Sequence, residues 1–248
     1  SAIFSSDFNA ENNLRILNNI IHGNANGIWY SGIPAGHSAN MLISTNDISV
    51  GYTAVFLNYA AAPVVEKNHI TRFDKTVSST FYGISFQEVS GAARVLKNTL
   101  LFYESYGYGI RMRNTVGNAG DPVLIANNMV SMDGSSTAYA FSTESNSSYI
   151  HIYHNSGLIT GGTSTTTRPY YATTLTSSTG IEVVNNIFVN HGNGYAVYVV
   201  GSSTPAITRM DYNILYSDGS NLAYWSTATA DLAALQSASG MNQNSVVL

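Results

Sequence analysis

The feature that most constrains this chain is a repeat. An apolar stretch, an asparagine and a second apolar stretch recur eight times. They read RILNNII around Asn19, LISTNDI around Asn46, VVEKNHI around Asn68, RVLKNTLL around Asn98, LIANNMV around Asn128, HIYHNSGLI around Asn155, EVVNNIFV around Asn186 and RMDYNIL around Asn213. Successive asparagines lie 27, 22, 30, 30, 27, 31 and 27 residues apart, a mean of about 28. A second signal, a small residue opening an alternating strand, runs out of phase with the first. Its copies are GIWYS at Gly27, AVFLN at Ala54, GISFQ at Gly83, GIRMR at Gly109, AFSTE at Ala140, a degenerate YATTL at Tyr171, AVYVV at Ala196 and AYWS at Ala223. Two independent signals on one period argue against a chance pattern.

Each period therefore reads as three strands of three to five residues: one before the asparagine, one after it and one at the small residue. Short runs bounded by Gly, Ser and Asn favour strand over helix. One such unit cannot bury its own apolar face, but stacked units share a continuous core. The expected fold is all-β, a right-handed parallel β-helix of about eight three-stranded coils spaced about 4.8 Å apart. At each bend the asparagine is expected to take the left-handed conformation, which Asn tolerates better than most residues. In register, Asn19, Asn46, Asn68, Asn98, Asn128, Asn155, Asn186 and Asn213 would form a hydrogen-bonded ladder, a structural rather than catalytic role. A short helix is expected over Thr229–Ser239, with Thr229 or Thr227 as N-cap, Asp231 in the first turn and Gly240 as C′ residue. The last residues, NSVVL, would add a strand. The chain reads as one domain over 1–248, with repeats over about 14–226 and a cap over about 227–248.

The repeat resembles that of pectate lyases, polygalacturonases, alginate lyases and many bacterial surface proteins. The resemblance spans about residues 14–226, and the tail DLAALQSASGMNQNSVV is similar to the segment ending β-helix domains of large secreted bacterial proteins. It implies the fold and leaves the function open. In the sugar-active members of that group, polysaccharide lies along the strand matching the third strand here, between long loops. The longest loops in this chain, at 31–40, 114–121 and 160–180, leave a shallower surface.

Composition narrows the partners. Charged residues make up 10% of the chain, against about 25% in ordinary domains, and 26 asparagines help fill the gap. The formal net charge is −4 with no basic cluster, so nucleic acid is not expected as a partner. No run approaches the roughly 20 apolar residues of a membrane span. Cysteine is absent, which removes disulfides and thiolate metal sites. Low charge with many amides and hydroxyls suits an extracellular or cell-surface protein facing sugars. Ser1 lies mid-pattern, so fusion to further domains is expected.

Candidate chemistry lies on the third strand. The outward column is expected to run Trp29, Phe56, Ser85, Arg111, Ser142, Thr173, Tyr198 and Trp225. Two residues further on, a second column would carry Ser31, Asn58, Gln87, Arg113, Glu144 and Val200. Trp29, Phe56, Gln87, Arg111, Arg113, Glu144 and Tyr198 are the candidate ligand-binding residues. A glycosidase needs two carboxylates, and Glu144 stands alone on this strand. A polysaccharide lyase needs a base and a cation; Arg111, Arg113 and Glu144 are the weak candidates, with no Lys beside them. A plainer alternative makes Arg113 and Glu144 a surface ion pair. The histidines, among them His151 and His154 on opposite faces of one strand, make no metal site. Asp7 and Glu11 are neighbours only in a start expected to be disordered. No cofactor motif is present. A non-catalytic polysaccharide-binding or adhesion module is the leading expectation, with a lyase or hydrolase and a structural stalk as alternatives.

Overall fold

The structure is a computed structural model of the 248-residue chain and describes residues 3–5, 12–72, 79–103 and 106–248. Asp7 and Glu11 lie outside the described residues. The chain is a parallel β-solenoid of about eight turns with one short C-terminal α-helix.

The strands before the asparagines form an eight-stranded parallel sheet running from Arg15–Leu17 to Ile207–Asp211. Its register is regular: Ile16, Ile43, Val65, Val95, Ile125 and Ile152 are successive partners and all are buried. The other two strands of each coil belong to one larger sheet. In two early coils they fuse into single 12-residue strands, Ile20–Ser31 and Asp47–Asn58, rather than remaining separate short strands. The apolar residues of all three strand sets meet in one core along the solenoid axis.

The eight asparagines stack in one column. From Asn46 to Asn213, each Oδ1 accepts two bonds from the preceding coil, one from the backbone N–H and one from the Nδ2 of the asparagine there. At Asn128 these bonds from Asn98 measure 2.9 and 3.0 Å. The Nδ2 of Asn98 also donates to the Val65 carbonyl at 3.0 Å. The ladder ends where the Asn213 N–H donates to the Ser245 hydroxyl at 3.1 Å.

The bend itself differs from the sequence expectation. The left-handed residue is the one before each ladder asparagine: Asn18, Thr45, Lys67, Lys97, Asn127, His154, Asn185 and Tyr212, with φ between 55° and 58°. One residue turns the chain, and the next thereby aims its amide along the axis.

The C-terminal helix is Leu232–Ser239. Its N-cap is Asp231, not a threonine; the carboxylate accepts from the Ala234 N–H at 2.8 Å. Thr227–Thr229 is instead a strand, antiparallel to Ala223–Trp225. Gly240 closes the helix at φ 67°, and Leu235 is fully buried. Val246–Val247 then pairs in parallel with Ile214–Ser217. Among the described residues no helix is long and apolar enough to cross a membrane.

Candidate ligand-binding face

The third strands present two in-register columns to one side of the solenoid. The first runs Trp29, Phe56, Ser85, Arg111, Ser142, Tyr171, Tyr198 and Tyr224. Two positions correct the sequence reading. Tyr171 stands where Thr173 was expected, because Pro169 takes the small-residue position of that coil and Tyr170 turns inward beside Phe141 and Val197. Tyr224 stands where Trp225 was expected, because Ala223 fills the inward apolar position; Trp225 is buried in the core. The second column runs Ser31, Asn58, Gln87, Arg113, Glu144 and Thr173.

A third column, formed by the residue before each small one, went unread in the sequence. It runs Asn26, Thr53, Tyr82, Tyr108, Tyr139 and Arg168. The signal was available as Tyr82-Gly83, Tyr108-Gly109 and Tyr139-Ala140. Each glycine there is required: a Cβ on Gly109 would lie 2.5 Å from the Ala140 carbonyl oxygen and from a Val130 methyl. The strand turns its corner at that residue, so the tyrosine before it is thrown outward.

The rings line up along the face. Trp29 stacks on Phe56 at 4.2 Å between centroids, Tyr82 on Tyr108 at 5.2 Å, Tyr139 on Tyr171 at 4.5 Å and Tyr198 on Tyr224 at 4.2 Å. Because the rings cover one another's faces, most of the column offers edges and hydroxyls rather than open platforms. Two arginines run among them. The Arg111 guanidinium carbon sits 5.3 Å from the Tyr82 centroid and 4.9 Å from that of Tyr108. Arg168 lies 5.4, 5.0 and 3.8 Å from Tyr139, Tyr171 and Tyr198.

Glu144 is held by Arg111 and not by Arg113. Its Oε2 accepts from Nε at 2.9 Å and from Nη2 at 2.7 Å, and the two side chains are only 8% and 14% exposed. Arg113 is the direct cross-strand partner of Glu144, yet its side chain points into solvent. Arg111, one coil position inward, reaches across and keeps its flat side on the tyrosines. Arg113 makes no ion pair among the described residues. Burial raises the Tyr108 hydroxyl well above its ordinary range, and the neighbouring Glu144 charge adds to this. Burial also raises Tyr139 and Tyr198, with Arg168 pulling both the other way. Burial opposes the charge on Arg111, but its bonds to Glu144 more than restore it and its pKa is raised. These tyrosines are therefore neutral hydrogen-bond donors at physiological pH.

The column is interrupted at Ser85. Trp29 covers one side of Phe56, and on the next coil the register places the small, buried Ser85. The result is a notch of about 290 Å³ between Phe56 and Arg111, with Tyr82 beside it and Gln87 and Arg113 at its lip. Its chemistry is one aromatic wall, one amide and one free guanidinium. The outward columns contribute a single carboxylate, already neutralised. Among the described residues no group of three or more His, Asp or Glu side chains is placed to hold a metal ion.

No family model matches this chain, and neither a curated protein nor a solved structure matches it.

Proposed function

We propose that this chain is a non-catalytic glycan-binding module that works outside the cell, in adhesion or retention of polysaccharide. The observation that carries the reading is the notch at Ser85. A pyranose ring entering edge-on would lay its C–H face on Phe56 and offer hydroxyls to Gln87 and Tyr82. Arg113 at the lip would take a hydroxyl or a carboxylate. The parallel coils repeat at about 4.8 Å, comparable to one sugar unit, so a chain threaded through the notch would follow the tyrosine edges. The lone carboxylate, tied to Arg111, supports binding rather than hydrolysis by an acid pair. The low charge and the many amides and hydroxyls support an extracellular setting. The face is shallow, so affinity is expected in the micromolar to millimolar range, about −8 to −4 kcal/mol.

The test is calorimetric titration with a panel of neutral and acidic oligosaccharides, alongside a spectrophotometric assay for unsaturated products. Binding to at least one glycan is expected, with affinity reduced about tenfold or more in Phe56→Ala and in the notch-filling Ser85→Leu. No binding of the wild-type chain to any glycan, or wild-type affinity in both variants, removes the proposal. Release of unsaturated product would move the reading to a lyase.

A further inference from the structure

At the far end of the tyrosine column, Arg168, like the exposed Arg113, is without the carboxylate that three other arginines have among the described residues. Arg94, Arg111 and Arg209 each lie within 4 Å of a carboxylate, on Asp121, Glu144 and Glu182. Arg168 has no carboxylate within that distance among the described residues, although it is half-buried. Its guanidinium carbon sits over the Tyr198 ring, 3.8 Å from the centroid, and one nitrogen, Nη1, donates to the Tyr139 hydroxyl at 3.0 Å. Its Nε is buried and has no acceptor. A guanidinium carries five N–H donors in a rigid fork. An unpaired, partly desolvated cation costs free energy that ring faces offset only in part.

The fork borders a hollow of about 270 Å³. Its walls are mainly polar and carry no acid: Thr165, Thr166, Asn193, Tyr195 and Asn221. Hydroxyls and amides around one uncompensated guanidinium form a receptor for a planar or tetrahedral oxyanion. Phosphate-sized backbone cradles or grouped lysines are not part of it, so its capacity is one acidic group rather than a polyanion backbone.

We infer that Arg168 and this hollow form a second subsite, which takes the carboxylate or sulfate group of an acidic saccharide lying along the tyrosine column. The inference rests on the glycan reading above but sits several coils from the notch, and the two are separately testable. Arg168 Nη2, the fork nitrogen not engaged by the Tyr139 hydroxyl, meets the oxygens of the acid group, and Tyr195 and Asn193 contact the sugar hydroxyls. A neutral saccharide leaves the fork unsatisfied, so this end of the face discriminates by charge.

The side-chain Nε–H resonance of Arg168 in a ¹⁵N-labelled sample reports on the guanidinium that the subsite uses. The probes are a uronate oligosaccharide, the same oligosaccharide with its carboxyl groups methyl-esterified, the uronate monosaccharide and inorganic sulfate. The acidic oligosaccharide is expected to shift the resonance, and the esterified one to leave it in place. Arg168→Met, which keeps a flat apolar chain on the tyrosines, is expected to weaken the uronate about tenfold while leaving the esterified form unchanged. Arg168→Lys is expected to recover only part of that loss. The inference is overturned if neither the acidic probes nor sulfate shifts the resonance, or if the esterified oligosaccharide shifts it equally. In Ser85→Leu, a persisting shift with the uronate monosaccharide would uphold this subsite even if oligosaccharide binding at the notch proves absent.

Discussion

At the residue scale, each bend divides its work between two neighbours. The residue before the ladder asparagine takes the left-handed conformation, and the asparagine makes the bonds. Three bends spend an asparagine on the first task, at Asn18, Asn127 and Asn185; Lys97, His154 and Tyr212 perform it without that tolerance. A side chain with a Cβ in the left-handed region costs roughly 1–2 kcal/mol, less for Asn. Lys97→Asn is therefore expected to raise the melting temperature by an amount matching about 1 kcal/mol. The Lys97 side chain is exposed and makes no hydrogen bond or ion pair among the described residues. Asn127→Lys is expected to lower it similarly. Thermal unfolding followed by circular dichroism checks both; shifts of the same sign would contradict the assignment. The ladder was legible in the sequence because its spacing is a property of one column. The bend was not, because in RILNNII, LIANNMV and EVVNNIFV the doublet hides which asparagine does which task.

At the scale of elements, legibility depended on register. A strand shifted by one residue exposes its other face. This is what separates Trp225, buried in the core, from Tyr224 on the surface. Where the small-residue signal was clean, at Gly27, Ala54, Gly83, Gly109, Ala140 and Ala196, the outward residues read from sequence, Trp29, Phe56, Ser85, Arg111, Ser142 and Tyr198, are the ones on the face. Where Pro169 or Leu222 took that position, the reading slipped by two residues and by one. The tyrosines before the glycines were missed because alternation alone assigns a residue next to an inward one no fixed side at a corner. Which arginine holds Glu144 was also illegible, since side-chain reach across coils decides it. The C-terminal helix shows the same dependence on local geometry. Its N-cap bond belongs to Asp231, so Asp231→Ala is expected to cost about 1 kcal/mol. Thr227→Ala, on an exposed strand residue, is expected to cost nothing measurable. Equal changes in melting temperature would return the cap to the threonines.

At the scale of the whole molecule, a solenoid is close to one-dimensional: each coil touches only its neighbours, and stability adds up along the axis. The asparagine ladder makes this unusually testable, because one chemical group sits in nearly the same setting eight times. In the middle, Asn98 accepts from both the backbone N–H and the Nδ2 of Asn68, at 3.0 Å each. It also donates to the Val65 carbonyl at 3.0 Å and to Asn128 at 3.0 Å. Asn98→Ala would leave both Asn68 donors without that acceptor in a dry interior, while the backbone bond to Asn128 would survive. Each orphaned buried group costs about 1–3 kcal/mol, so the variant is expected to lose roughly 2–4 kcal/mol. Asn19 is half-buried, and it ends the column. Asn19→Ala would remove its bond to Asn46 while its own backbone N–H still donates there, so the loss is expected to stay below about 1 kcal/mol. Hydrogen exchange separates local from propagated effects. The central variant is expected to speed exchange in the coils on both sides of Asn98, since each neighbour relies on that coil for its interface. The terminal variant is expected to speed it only in the first coil. Similar denaturant midpoints for the two variants, or fast exchange confined to the coil of Asn98, would mean that the ladder is ornamental and that the apolar stack alone couples the coils.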